Sequence, residues 1–166
     1  MIRSVLLVGF MTMAMSPSLA TAQVSIEFVQ PQRFTHLGNY RADYKRNMEH
    51  LEGFFVAAIS ECLAEGAKLQ IVVHNVDLAG YFEPGIRSPG VRLMREIDVP
   101  RIDLEYTWHA ADGAVVAEKR ETLSDINYLG RGTTHRGTGS QGSQPLRYDK
   151  HMIERWAEKT FCMNSD

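Results

Sequence analysis

Three carboxylates sit where a chain of this kind could do acid–base work. Asp77, Glu83 and Asp125 fall at or just beyond the ends of strand-like runs, with His135 and Arg147 further along the same stretches. Carboxylates whose surroundings split their pKa values can serve as general acid and general base, so the chemistry on offer is hydrolysis. Aspartates in such places are more often caps and turn ties. A small hydrolase therefore stands as the alternative reading, and a non-catalytic protein as the first.

Other chemistry fails on spacing. The stretch Gly137–Gly142 reads GTGSQG, which fits the dinucleotide pattern G-x-G-x-x-G. That pattern works only between a strand and the helix that opens directly after it. Here no strand runs into the glycines, and Pro145 precedes the next helical pattern. It reads as a surface loop, and no cofactor is expected. The six histidines form no ligand spacing, so no metal site is expected either. His74, within an apolar run, reads as a core histidine.

The first 22 residues have Arg3, an uncharged apolar run from Val5 to Met15, and Ala20-x-Ala22. This is the pattern of a cleavable signal peptide, and it predicts export to the periplasm. No later segment is apolar enough to span a membrane. Residues 23–166 are the size of one domain, and the formal net charge of −2 leaves no footprint for nucleic acid.

The elements that must position any site follow from periodicity. Residues 24–29 alternate as a strand, and from Asn39, a plausible cap, to Glu65 the pattern turns helical. In that helix Met48, Leu51, Phe55, Ile59 and Cys62 form an apolar stripe. Residues 68–78 are apolar on both parities, which predicts a central strand covered on more than one side. Residues 102–108 alternate cleanly, and Asp112-Gly113 predicts a two-residue hairpin turn that sets Glu105 opposite Arg120. A last helix spans 147–161, with Tyr148, Met152, Trp156 and Phe161 inward. The expected fold is a two-layer α+β sandwich: β-α-β-β-β-α order, a four-stranded mixed sheet, both helices on one face.

That topology has two consequences. Spacing alone leaves Cys62 and Cys162 open as two separate thiols or one bridge, but both helices would end at the same end of the sheet, which favours a disulfide. The two longest connections, 79–100 and 125–146, would leave the opposite end together. Windows 79–101 and 125–150 hold eight basic against five acidic residues. Tyr81, Arg87, Arg92, Tyr128, Arg131, Arg136 and Arg147 are the candidate binding residues, suited to an envelope protein or an anionic glycan or peptide. The competing reading pairs these arginines internally with Asp77, Glu83, Asp98 and Asp125.

The segments VSIEFVQPQRFT, VDLAGYFEP, IDVPRIDLEYT, ETLSDINYL and QPLRYDKHMIERW together resemble the small exported bacterial proteins grouped as domain of unknown function 3016. Val99 stands before Pro100 where the family is expected to favour Trp. The resemblance implies an exported single domain and brings no activity, cofactor or catalytic residue with it.

Overall fold

A computed structural model describes residues 21–38, 41–81, 92–130 and 145–163. Its elements are strand β1 (Gln23–Phe28), helix α1 (Arg41–Ser60), strands β2 (Lys68–Asp77), β3 (Arg101–His109) and β4 (Val115–Ser124), and helix α2 (Arg147–Ala157). A five-residue π-turn, Glu158–Cys162, continues α2. The strands lie in the order β1-β2-β3-β4, with β1 parallel to β2 and the other two pairs antiparallel. This is the expected α+β fold and order of elements. The expected cap Asn39 lies outside the described residues.

The helices cover one face of the sheet. Leu51, Phe55 and Ile59 of α1, and Met152, Ile153 and Ala157 of α2 with Phe161 beyond it, meet Leu69, Ile71, Val73, Ile102, Leu104 and Tyr106 in one core. Each fully buried side chain of this size is worth roughly 1.5–3 kcal/mol over exposure, so this shared core is what holds the two layers together. The opposite face carries Ser25, Glu27, Gln70, Glu118, Arg120 and Thr122, all exposed.

Strand β2 is central, but helices cover only one of its sides. Its apolar residues fall on both parities because Val72 stands half-buried on the other face and because the β2–β3 register shifts between Val73 and Asn75. Inward positions therefore run Leu69, Ile71, Val73 and then Val76. A bulge re-aims the side chains that follow it, and a mixed parity imitated double-sided burial. His74 sits at this shift, half-buried, with Nε2 3.1 Å from Glu105 Oε2, so it belongs to the uncovered face rather than to the core.

The β3–β4 hairpin differs from expectation by one residue. Gly113 N–H donates to Ala110 O, and Ala110 N–H to Ala114 O, both at 2.9 Å. The connection thus has three residues, with Gly113 at φ 88°, a region that favours glycine. A register shift at Trp108/His109 absorbs the extra residue, and Glu105 still faces Arg120. Turn and bulge together fix the pairing.

At the same end Cys62 and Cys162 form a disulfide with Cα atoms 4.7 Å apart. The bond ties the end of α1 to the end of the π-turn. It closes a loop with a sequence separation of 100, and loss of such a bond costs about 2–5 kcal/mol. Replacing both cysteines by serine is expected to lower the urea-unfolding free energy by that amount while the far-ultraviolet circular dichroism stays unchanged. A loss of less than about 1 kcal/mol would mean that the bond constrains little of the unfolded chain.

Candidate functional site

The other end of the sheet is built around one carboxylate. Asp149 is the third residue of α2, on the inward stripe with Met152, Ile153 and Ala157, and is 1 % exposed. Its Oδ1 accepts the backbone N–H of Ala79 at 3.0 Å, just past the end of β2. Its own backbone N–H and the positive end of the α2 dipole add to that. The Arg92 guanidinium, with Nε and Nη2 out of solvent, brings the counter-charge. Burial nevertheless outweighs these partners and raises the Asp149 carboxyl to about 6.

More titratable groups gather on the same feature. His36 is bridged to Asp77, its N–H donating to Val76 O and its carbonyl accepting from Leu78 N–H, both at 3.0 Å. Burial, helped by Arg92, holds the His36 imidazole below its usual value. Burial raises Asp77, and His36 and Arg101 partly offset this. Desolvation also lowers Arg92, against the pull of Asp149 and Asp77. Perturbed groups in one place mark a functional candidate.

The roots of both long segments are fixed to this cluster. Tyr81 and Leu93 exchange backbone hydrogen bonds at 2.8 Å, and Gly80 N–H donates to Asp98 O at 3.1 Å. Gly80 lies at φ 80°, and a Cβ there would stand 2.7 Å from Met94 Sδ and 2.8 Å from Leu93 O, so only glycine fits. Arg95 grips Asp98 with two nitrogens and stacks over the exposed Tyr81 ring at 4.6 Å. The second root joins the first where Tyr128 Oη donates to Arg95 O at 2.6 Å. Tyr128 also packs edge-on against Tyr148 at 4.9 Å, and Arg147 covers the other ring at 4.5 Å.

The candidate residues from the sequence therefore divide. Asp77, Tyr81, Arg92, Tyr128 and Arg147 come together at this end. Tyr128 is buried, Arg92 is drawn to Asp149 and Asp77, and the half-buried Arg147 donates to Tyr148 Oη. Asp125 is 5 % exposed in its side chain, pairs with Arg155 at 2.7 Å, and accepts Asn127 N–H at 3.2 Å; it works as a turn tie. Glu83, Arg87, Arg131 and Arg136 lie outside the described residues. Sequence reasoning missed Asp149 and His36. The signal for Asp149 was its place on the apolar stripe of α2, where a carboxylate must find donors.

The family model described as "Protein of unknown function (DUF3016)" matches residues 22–159, and the chain belongs to that family. No curated protein sequence matches it. Among the described residues no helix is long and apolar enough to cross a membrane.

The raised Asp149 carboxyl sets a direction for pH dependence. Between 3.8, its ordinary value, and about 6, the folded chain holds a proton that the unfolded chain has released. Stability from this group is therefore greatest below that window and falls as pH rises through it. Relative to Asp149→Asn, which keeps an acceptor for Ala79 but cannot ionise, the wild type is expected to lose up to roughly 3 kcal/mol across the window, at ~1.4 kcal/mol per tenfold change in proton affinity. Urea unfolding of both proteins from below to above this range checks it. A difference that does not vary with pH would refute the assignment.

Proposed function

We propose that this family member is an exported, non-catalytic binding module whose arginine-rich end, segments 79–100 and 125–146, receives an anionic protein, glycan or peptide of the cell envelope. The observation that carries the reading is the joining of both segment roots, Tyr81–Leu93 and Tyr128, on one buried charged cluster. Side chains held in place before binding lose less freedom when a partner arrives. Tyr81, 38 % exposed with Arg95 stacked on it, is the described residue best suited to touch a partner. Arg92 is engaged with Asp149 and Asp77, so the arginines proposed for contact are Arg87, Arg131 and Arg136. Export is supported by the leader-like start and agrees with the disulfide.

One observation favours the alternative, a small hydrolase: half-buried Asp77 lies above the usual carboxylate range beside a neutral-leaning His36. That reading rests on Asp77 and on Glu83, since Asp125 is committed to Arg155. It requires hydrolysis of some envelope ester or glycoside that Asp77→Asn abolishes.

A photo-crosslinking residue at Tyr81 in intact producing cells is expected to give a discrete adduct, and the same probe at Gln70 on the uncovered sheet face none. Reversing Arg87, Arg131 and Arg136 to Glu is expected to reduce the Tyr81 adduct by at least about tenfold, the scale of ~1.4 kcal/mol. An adduct that survives the triple reversal would overturn the proposal.

A further inference from the structure

The disulfide end of the sheet has a hollow of about 360 Å³, within the size range of small-molecule sites. It lies between strands β3 and β4 on one side and the π-turn after α2 on the other. Tyr106 and Trp108 of β3 pair with Lys119 and Ala117 of β4, so these four side chains share one face and line the hollow together. Lys159 and Thr160 close it from the π-turn. Turns of this kind recur at functional sites.

The polar part of the wall is made of donors. Two lysines line the hollow and no carboxylate does. Lys119 Nζ stands 2.6 Å from Glu121 Oε2, and the other oxygen of Glu121 accepts the Trp156 indole N–H at 2.8 Å. Glu121 is thus committed on both oxygens and offsets one lysine, while Lys159 brings a second positive charge. Tyr106 is 5 % exposed, with its ring packed edge-on against Trp156 and Phe161. Among the described residues its hydroxyl has no hydrogen-bond partner. Burial, with the nearby Glu121 charge, pushes this phenol up from its ordinary value, so it keeps its proton and stays a donor. Trp108 also has its indole N–H out of solvent with no acceptor among the described residues. Buried donors without acceptors are uncommon in folded proteins, and both of these belong to residues that line one hollow.

The rest of the lining is apolar: the Trp108 ring, Ala117, and Val116, which is 50 % exposed. An inorganic anion would leave that surface uncovered. Cations and donors beside apolar surface suit an anion that carries an apolar body.

We propose that this hollow binds a small organic carboxylate, its anionic end set between Lys119, Lys159 and the Tyr106 hydroxyl and its apolar body against Trp108 and Val116. A carboxylate accepts from ammonium and hydroxyl groups in short, charge-assisted bonds, and it gives Tyr106 the acceptor that the chain does not. This site is separate from the Asp149 end and does not depend on the reading given for that end.

Both tryptophans of the chain, Trp108 and Trp156, stand at or against this wall, so intrinsic fluorescence reads it. Benzoate titrated into the purified chain is expected to change that fluorescence saturably. Benzamide keeps the ring and loses the charge, and inorganic phosphate keeps charge and loses the ring. Each is expected to bind at least about tenfold more weakly. Lys159→Glu and Tyr106→Phe are each expected to raise the benzoate dissociation constant by about tenfold. Lys159 is exposed, so its reversal spares the core, and Tyr106→Phe should leave the urea-unfolding free energy unchanged because no bond within the chain is lost. Arg120→Glu, the same charge reversal on the uncovered face, is expected to leave the affinity as it is. No saturable change would overturn the proposal. So would benzamide binding as tightly as benzoate, or Arg120→Glu weakening binding as far as Lys159→Glu does. An affinity that Lys159→Glu and Tyr106→Phe both leave intact would put the binding elsewhere and overturn it too.

Discussion

A carboxylate inside a protein must be supplied with donors and a counter-charge or be expelled, and Asp149 is the place where this chain accepts that constraint. An unpaired buried charge costs several kcal/mol even after relaxation. Asp149 is supplied by the Ala79 N–H, by the start of its own helix and by Arg92. These partners come from two distant parts of the sequence, so satisfying one side chain ties the start of α2 to the segment that follows β2. The start of α2 is held against the end of β2, and Arg92 is drawn in at the foot of the first long segment. His36 and Asp77, bridged beside it, enter the same electrostatic unit.

The two ends of the sheet are thus closed by different physics. At one end a covalent bond joins Cys62 to Cys162, beside the edge-on aromatic contacts of Tyr106, Trp108, Trp156 and Phe161. That closure responds to redox conditions and hardly to pH. At the other end charge, burial and hydrogen bonds do the holding, and closure there responds to pH. The core between them is apolar and indifferent to both.

The fold was legible because its signals are local. Alternation in 102–108 and the stripe Leu51, Phe55, Ile59 each report one neighbouring face, and the disulfide followed from the resulting topology. What escaped was set by single-residue departures from regularity. The bulge after Val73 made one-sided burial look two-sided, and the turn at Gly113 took one residue more than its Asp-Gly signature implied. The grouping of the candidate residues was legible only in part. Tyr81, Arg92 and Asp77 were expected at one end of the sheet and lie there, whereas Asp149 looked like an ordinary acidic residue in a first helical turn. Its burial depends on Ala79 and Arg92, dozens of residues away, and no local pattern encodes that. Tyr128 carried the right chemistry for a surface role, yet it is buried and packs edge-on against Tyr148, the ring that Arg147 covers.

The central claim is that Asp149 holds the roots of both long segments in place. Residue-resolved amide hydrogen exchange of the wild type and Asp149→Ala tests it most directly. The account expects the amides of Ala79, Gly80, Tyr81 and Leu93 to lose protection selectively, through local opening, while those of Ile71, Val73 and Leu104 shift no further than global stability does. Unchanged protection at Ala79 and Tyr81, or a loss spread evenly over the core strands, would contradict it.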